Sequence, residues 1–318
     1  MDHRKKVLVI TGPTATGKTA LSVLLAKRLN GEIISADSMQ VYRGMDIGTA
    51  KVTLDEMQGV PHHLIDAADP SENYSVARWV EEAAAAAEDI FARGKLPILA
   101  GGTNLYIDSL LSGRDFAENG GGSALRDALS AEYDRMGGEA FREKLREVDP
   151  DRAALLHPSD KKRLVRALEV WKLTGETITA HDARTKALPK RWDSLRVALS
   201  YENREDLYAR IDRRVDKMFA AGLTDEVRGL LSAGLSPDST AMQAIGYKEV
   251  VAFLSGDCTE TEAAEAVKMN SRRYAKRQLT WLRRDPDLLW ILWHGTPDLS
   301  AAADTVLAYW TADAAQKK

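Results

Sequence analysis

Between the apolar run Val7–Thr11 and the helix-patterned stretch Lys18–Leu29 lies Gly12-Pro13-Thr14-Ala15-Thr16-Gly17-Lys18-Thr19. This matches the G-x-x-x-x-G-K-T pattern of a phosphate cradle in full, and the strand before it and the helix after it are the setting that pattern requires. The glycines let backbone amides turn toward an anion, the helix N-terminus adds its positive end, Lys18 reaches an outer phosphate, and the Thr19 hydroxyl suits Mg²⁺. A strand, a glycine loop and a helix in this order commit the chain to an α/β architecture with a parallel sheet. The motif does not say what the phosphates belong to: a nucleoside triphosphate and a diphosphate ester satisfy the same amides.

The alternation continues. Glu32–Ala36 reads as a second strand, Val76–Arg93 as an alanine-rich helix stopped by Gly94, Pro97–Ala100 as a strand ending at Gly101-Gly102, and Thr103–Leu111 as a helix. A glycine-rich connection at Gly113–Gly122 follows, and from Ser123 to Lys190 only charged helical patterns occur. A strand signal returns at Ser194–Ser200, then a helix with core positions at Leu207, Ile211, Val215 and Met218, and a last apolar strand at Leu288–Trp293. The expected organisation is a catalytic core of residues 1–115 and 193–318, a P-loop-type parallel sheet flanked by helices, with an all-helical insertion at 116–192.

With 44% hydrophobic and 29% charged residues, the 318-residue composition is that of a folded globular protein, and no apolar run reaches the roughly 18 residues of a membrane span. The N-terminus lacks the apolar region of a secretory signal, and the single cysteine, Cys258, excludes an internal disulfide and a cysteine zinc site. A cytoplasmic protein is expected, with no obligate protein partner and a monomer as the default. The net charge of −3 hides clusters: from Lys268 to Arg284 there are seven Lys/Arg and no acid, and Lys161-Lys162-Arg163 with Arg166 forms a second basic group.

An energy-coupled NTPase usually ends a second strand in an acidic residue for magnesium, whereas Pro97–Ala100 runs into Gly101-Gly102-Thr103. The strand-end carboxylate is instead Asp37, at the sheet edge where open α/β folds place ligands. It is either a general base or a turn cap with Ser38. The adjacent His62-His63 pair reads as structural, since two neighbouring histidines rarely ligate one ion without further partners.

The string Asp37-Ser38-Met39-Gln40-Val41-Tyr42-Arg43-Gly44-Met45-Asp46-Ile47-Gly48-Thr49-Ala50-Lys51 resembles the signature of the tRNA dimethylallyltransferases, or tRNA isopentenyltransferases. The resemblance extends through Gly59–Asp66, Gly101–Tyr106, Arg166–Val170, Gln243–Glu249 and Lys276–Arg283, essentially the whole chain, with Val52 standing where a proline is usual. It implies transfer of the dimethylallyl group from dimethylallyl diphosphate to N6 of the adenosine 3′-adjacent to the anticodon of tRNA. The cradle would then hold a leaving group, with Mg²⁺ at Thr19, Asp37 as base, Thr103 near the reacting centre and Arg214 facing the diphosphate. Arg210 and Arg214 share a helix face apart from the core positions.

The same resemblance implies contacts to the tRNA anticodon stem-loop from Asp37, Ser38, Met39, Gln40 and Thr103, from Arg126 and Lys162-Arg163-Leu164-Val165-Arg166, and from Arg273, Arg277, Gln278 and Trp281. A stacked adenine must leave its stack to reach Asp37. Gln278 and Trp281 could then reach or stack on loop bases, although a tryptophan in a helix is more often a core residue. Three competing classes remain. A P-loop kinase of a small metabolite and an adenine-nucleotide prenyltransferase leave the basic clusters unused; an RNA-binding protein without catalysis leaves the cradle unused.

Overall fold

The computed structural model describes residues 5–113 and 123–316, so the glycine-rich connection, apart from Gly113, lies outside the described residues. The chain forms two compact units, one of residues 1–110 with 192–318 and one of residues 111–191.

The first unit carries β1 (Lys6–Thr11), α1 (Lys18–Leu29), β2 (Gly31–Ser35), α2 (Leu54–Met57), β3 (His62–His63), α3 (Val76–Ala92), β4 (Leu96–Ala100) and α4 (Asn104–Leu111). Among the described residues six strands make one sheet in the order β3-β2-β4-β1-β5-β6, where β5 is Asp193–Tyr201 and β6 is Leu289–Trp293. Every pairing is parallel, with Leu8 opposite Ile98 on one side and Leu195 on the other, and Ile33 opposite Ile98. The strands are runs of Val, Ile and Leu rather than alternating patterns because helices such as α1 and α3 pack against the sheet. Leu8, Ile10, Leu21, Leu25, Ile33, Ile98 and Leu199 are buried in one cluster, each such side chain stabilising the fold by roughly 1.5–3 kcal/mol. All carboxyl ends share one edge, and the chain's order of visiting the sheet brings the ends of β2, β4 and β1 side by side. β3 is too short to leave a periodic signal, and the sequence gives no hint of it.

The second unit is all helical: α5 (Ser123–Met136), α6 (Gly138–Arg146), α7 (Pro150–Leu155), α8 (Lys161–Thr174) and α9 (Ile178–Lys186). Its core is Leu129, Phe141, Leu145, Ala153, Leu156, Leu164, Val165, Ala167 and Leu168. Buried Asp149 joins two helices, capping the Arg152 amide at 3.1 Å and accepting from the Thr179 amide at 3.1 Å and its hydroxyl at 2.6 Å. The first unit resumes after β5 with α10 (Arg204–Ala220), α11 (Leu223–Ser232), α12 (Tyr247–Leu254), α13 (Glu260–Leu282) and, after β6, α14 (Leu299–Gln316).

Candidate active site

The cradle's shape follows from its glycines. Gly12 has φ +141°, and a Cβ there would fall 2.3 Å from the Leu199 carbonyl oxygen, so β1 can lie this close to β5 only without a side chain. Gly17 and even Ala15 take left-handed backbone, at φ +88° and +65°, which wraps the loop ahead of α1. The Thr16 hydroxyl and the Lys18 ammonium both donate to the Pro13 carbonyl, at 2.9 and 2.7 Å. From outside the loop, the indole of Trp293, at the end of β6, donates to the Thr16 carbonyl at 2.9 Å.

Asp37 follows β2, and its Oδ1 accepts the amides of Met39 at 2.9 Å and Gln40 at 3.3 Å. The cap and the base readings are therefore compatible: Oδ1 closes the turn and the carboxylate still lines the cavity beside Lys18. At the neighbouring strand end a Cβ on Gly101 would lie 2.1 Å from the Ala36 carbonyl oxygen, and one on Gly102 would lie 2.3 Å from Gln278 Nε2. An acidic side chain has no room there, which is the physical reason for the glycine pair. Thr103 stands next, its hydroxyl oxygen accepting the Ser38 amide at 3.1 Å and so tying the ends of β2 and β4 together.

A cavity of about 920 Å³ opens over these strand ends, lined by the cradle, Asp37–Gln40, Thr49, Gly101-Gly102, the α10 residues Arg210, Arg213 and Arg214, and the α13 residues Ser271, Tyr274 and Gln278. Leu207, Ile211 and Val215 are buried on α10 as expected, while Met218, expected in the core, is half-buried and lines the cavity. Arg210 donates to the Ala15 carbonyl at 3.3 Å and Arg214 to the Thr49 carbonyl at 3.4 Å. Burial, and after it the charge of Arg214, pulls the Lys18 ammonium down to about 7, with Asp37 opposing. Burial also lowers Arg214, opposed by Asp37 and Glu56; because arginine does not deprotonate in proteins, this marks a desolvated cation. Among the described residues neither Lys18 nor Arg214 forms an ion pair. Two desolvated cations in one cavity with the glycine loop and the start of α1 make a site for a polyanion.

Tyr274 was not singled out from the sequence. Burial and then the Asp37 carboxylate push its phenol up to about 12, so it stays protonated and able to donate. The signal was present in the spacing: Val267, Ser271, Tyr274 and Gln278 recur at helical intervals and all line the cavity. Arg273, Lys276 and Arg277 are exposed, the Arg277 guanidinium lying 5.6 Å from the Tyr274 ring. Gln278 is buried, with Nε2 donating to the Gly102 carbonyl at 2.9 Å and Oε1 accepting the Thr14 amide at 3.3 Å. Trp281 is 38% exposed, its indole donating to Asp108 at 2.6 Å.

In the helical unit, Lys162 and Arg163 face solvent, whereas the side chains of Leu164 and Val165 are in that unit's core. Arg126 donates to buried Glu169 at 3.1 Å and Arg166 does so at 2.8 Å, so both guanidiniums are engaged with one carboxylate. His62 Nδ1 meets the Val60 carbonyl and His63 Nε2 the Glu32 carboxylate, each at 2.8 Å, while His62 also lines the cavity with its buried Nε2 lacking a partner among the described residues. No cluster of His, Cys, Asp and Glu that could hold a metal occurs among the described residues. The Thr19 hydroxyl, which has no hydrogen-bond partner among them and lines the cavity, fits the sparse protein ligation that Mg²⁺ accepts when phosphates supply its other oxygens.

The family profile described as IPP transferase matches residues 40–285. The tRNA dimethylallyltransferase of Geobacter sulfurreducens is 48% identical over 288 residues, 91% of this chain and 92% of that protein, and the one of Geobacter metallireducens is 45% identical over 309 residues, 97% and 99% of the two chains. Among solved structures, the full-length tRNA isopentenylpyrophosphate transferase of Bacillus halodurans superposes with a TM-score of 0.74 at 42% identity, covering 99% of both chains. A eukaryotic dimethylallyltransferase captured acting on tRNA superposes with a TM-score of 0.77 at 34% identity, over 90% of this chain and 74% of its own. With the cradle, the strand-end carboxylate and the cationic cavity in place, and with relatives this similar along nearly the full length, the chain belongs to the IPP transferase family, the tRNA dimethylallyltransferases.

Proposed function

We propose that the chain transfers a dimethylallyl group from dimethylallyl diphosphate to N6 of the adenosine 3′-adjacent to the anticodon in tRNA, releasing diphosphate. The observation that carries this reading is the pairing of two desolvated cations, Lys18 and Arg214, with a carboxylate, Asp37, in one cavity. Diphosphate binds to the cradle amides of Gly12–Thr19, where the cations stabilise the negative charge that grows as the allylic C–O bond breaks. Thr19, together with the substrate's phosphates, would hold Mg²⁺, which would add to that charge stabilisation.

The adenine N6 is a weak nucleophile, its lone pair delocalised into the ring. As its bond to the allylic carbon forms, its proton passes to Asp37, whose Oδ1 is fixed by two amides so that the carboxylate meets the base in one orientation. Tyr274 lines the cavity within reach of that carboxylate's charge, the Thr103 hydroxyl holds the Ser38 amide next to Asp37, and Ser38, Met39 and Gln40 line the cavity that an extruded adenine enters. Arg273, Lys276, Arg277 and Trp281 on α13, and Lys162 and Arg163 on α8, offer solvent-facing groups to the anticodon stem-loop. Arg126 and Arg166 contribute by holding Glu169, and Leu164 and Val165 by packing α8. A tRNA substrate puts the working compartment in the cytoplasm; no helix among the described residues is long and apolar enough to cross a membrane.

Kinase chemistry is supported less well, because the end of β4 has no space for the acidic residue that would hold a nucleotide's magnesium. The test is incubation with Mg²⁺, dimethylallyl diphosphate and unmodified tRNA, followed by mass spectrometry of the digested nucleosides. A dimethylallyl mass gain on one adenosine is the expected result. No gain, with phosphate transferred from ATP to a metabolite instead, counts against the reading.

A further inference from the structure

Glu226, on α11, is not among the residues that line the cavity. Its carboxylate nevertheless accepts three successive backbone amides of the signature segment: Asp46 at 2.9 Å and Ile47 at 2.7 Å on Oε2, and Gly48 at 3.1 Å on Oε1. The Tyr247 hydroxyl donates a fourth bond to Oε1 at 2.5 Å. Consecutive amides turned to one anion form a nest, here filled by a side chain 178 residues away from Gly48. The fit is close on every side, since a Cβ on Gly48 would lie 2.4 Å from the Tyr247 ring.

The residue after the nest reaches the active site. The Thr49 carbonyl accepts from Gln40 Nε2 at 3.3 Å and from Arg214 at 3.4 Å, and Thr49 lines the cavity. The segment Asp46–Thr49 is thus gripped twice, by α11 through its amides and by α10 through one carbonyl. Among the described residues no carboxylate is hydrogen-bonded to Arg214, although the charges of Asp37 and Glu56 act on it, so this carbonyl is the acceptor that sets where its guanidinium points.

We propose that Glu226 is a positioning residue for the diphosphate site: by filling the nest at Asp46–Gly48 it fixes the Thr49 carbonyl, and through that carbonyl it aims Arg214. This rests on the reading of the cavity as a diphosphate site. Glu226→Gln puts an NH2 donor where one carboxylate oxygen accepted, so the nest loses its charge and at least one amide bond, the segment relaxes, and Arg214 is free to leave its working geometry.

The experiment is a double-variant cycle on the full chain, with Mg²⁺ and inorganic diphosphate as the calorimetric ligand, across wild type, Glu226→Gln, Arg214→Gln and the pair. Glu226→Gln is expected to weaken diphosphate binding about tenfold while Arg214 is present and less than about twofold once Arg214 is replaced. Affinity for tRNA, measured alongside, stays within about twofold, which a general loosening of the fold would not allow. Equal losses in both backgrounds, no loss with Arg214 present, or a parallel loss of tRNA affinity overturns the proposal. Should Glu226→Gln not fold, Tyr247→Phe removes one donor and keeps the carboxylate; the same cycle then expects about a threefold loss confined to the Arg214 background, and a loss equal in both, or none, overturns it. A wild type that binds diphosphate but prenylates no tRNA counts against the proposed reaction while the cycle still decides the role of Glu226; a wild type that binds no diphosphate overturns both.

Discussion

The amide of Thr14, in the phosphate cradle, donates to the side-chain oxygen of Gln278 at 3.3 Å across 264 residues of sequence. Because the other end of that side chain donates to the Gly102 carbonyl at 2.9 Å, one glutamine fastens the end of β1 to the end of β4. Its helix presents Arg273 and Lys276 to solvent, so on the proposed function the element offered to polyanionic RNA also braces the loop offered to the small substrate's phosphates.

Gln278→Ala therefore acts on the cradle. The substitution leaves a half-buried amide and a buried carbonyl without this partner, at a cost of about 1–3 kcal/mol, and steady-state kinetics should show a drop of about tenfold in kcat/KM for the diphosphate substrate. If the variant instead weakens only tRNA binding, with diphosphate affinity intact, Gln278 works as a base contact and not as a brace.

Lys18 gives a pH signature. Its ammonium titrates near 7 in the folded chain against an ordinary 10.5, so the folded state sheds this proton first: stability rises with pH between those values and is lost as pH falls through 7 and a desolvated charge is imposed. An arriving diphosphate reverses the balance and draws the proton back. At pH 8, calorimetry of diphosphate binding in buffers of different ionisation enthalpy should show uptake of about one proton, absent in Lys18→Met. Equal uptake in the two proteins would mean the ligand, not Lys18, is titrating.

A second electrostatic prediction concerns stability alone. Glu32, on β2, is buried with Arg93, Lys95 and His63 around its carboxylate, and the Arg93 hydrogen bond first, against the opposing effect of burial, holds its carboxyl far below the usual 4.5. A depressed carboxylate contributes stability above its unfolded value and loses it as pH falls below about 4.5. Glu32→Gln should cost about 2 kcal/mol at pH 7, discounted because its partners are about one-third exposed, and the difference in denaturation midpoint should shrink toward pH 3. A gap that stays constant with pH would contradict this.

The exposed face of α13 should reveal itself through salt. Arg273→Ala and Lys276→Ala, at exposed positions outside the cavity lining, each remove one phosphate contact, so the slope of log affinity for tRNA against log salt should fall by about 0.7–0.9 per substitution while diphosphate binding is unchanged. Unaltered slopes would move the tRNA site off this helix.

How much of this was legible depends on how local each feature is. The cradle and the strand-end Asp37 are contiguous in sequence, and their geometry is dictated by glycine conformations and strand ends, so they read directly. On α13 the inward residues Tyr274 and Gln278 and the outward Arg273 and Lys276 differ only in helical phase, and Gln278, read from the sequence as reaching loop bases, turns its amide to the cradle. Trp281, for which a core position was the commoner outcome, is partly exposed and bonded to Asp108. In the insertion, the basic run at Lys162–Arg166 could not reveal that Arg166 and Arg126 converge on Glu169, because that carboxylate's burial depends on the packing of two helices. Glu226 leaves no local trace at all: an acidic residue in the first turn of α11 looks like an ordinary helix-dipole partner, and its real partners are about half the chain away.

The most direct test of the chemistry is the stoichiometry of release. With dimethylallyl diphosphate and unmodified tRNA, the wild-type chain should liberate one inorganic diphosphate for each prenylated adenosine and no orthophosphate, and Asp37→Asn should bind diphosphate normally yet release it about a thousandfold more slowly. Orthophosphate as the product, or an Asp37→Asn variant that turns over at the wild-type rate, would contradict the assignment of the cradle to a leaving group and of Asp37 to the proton on N6.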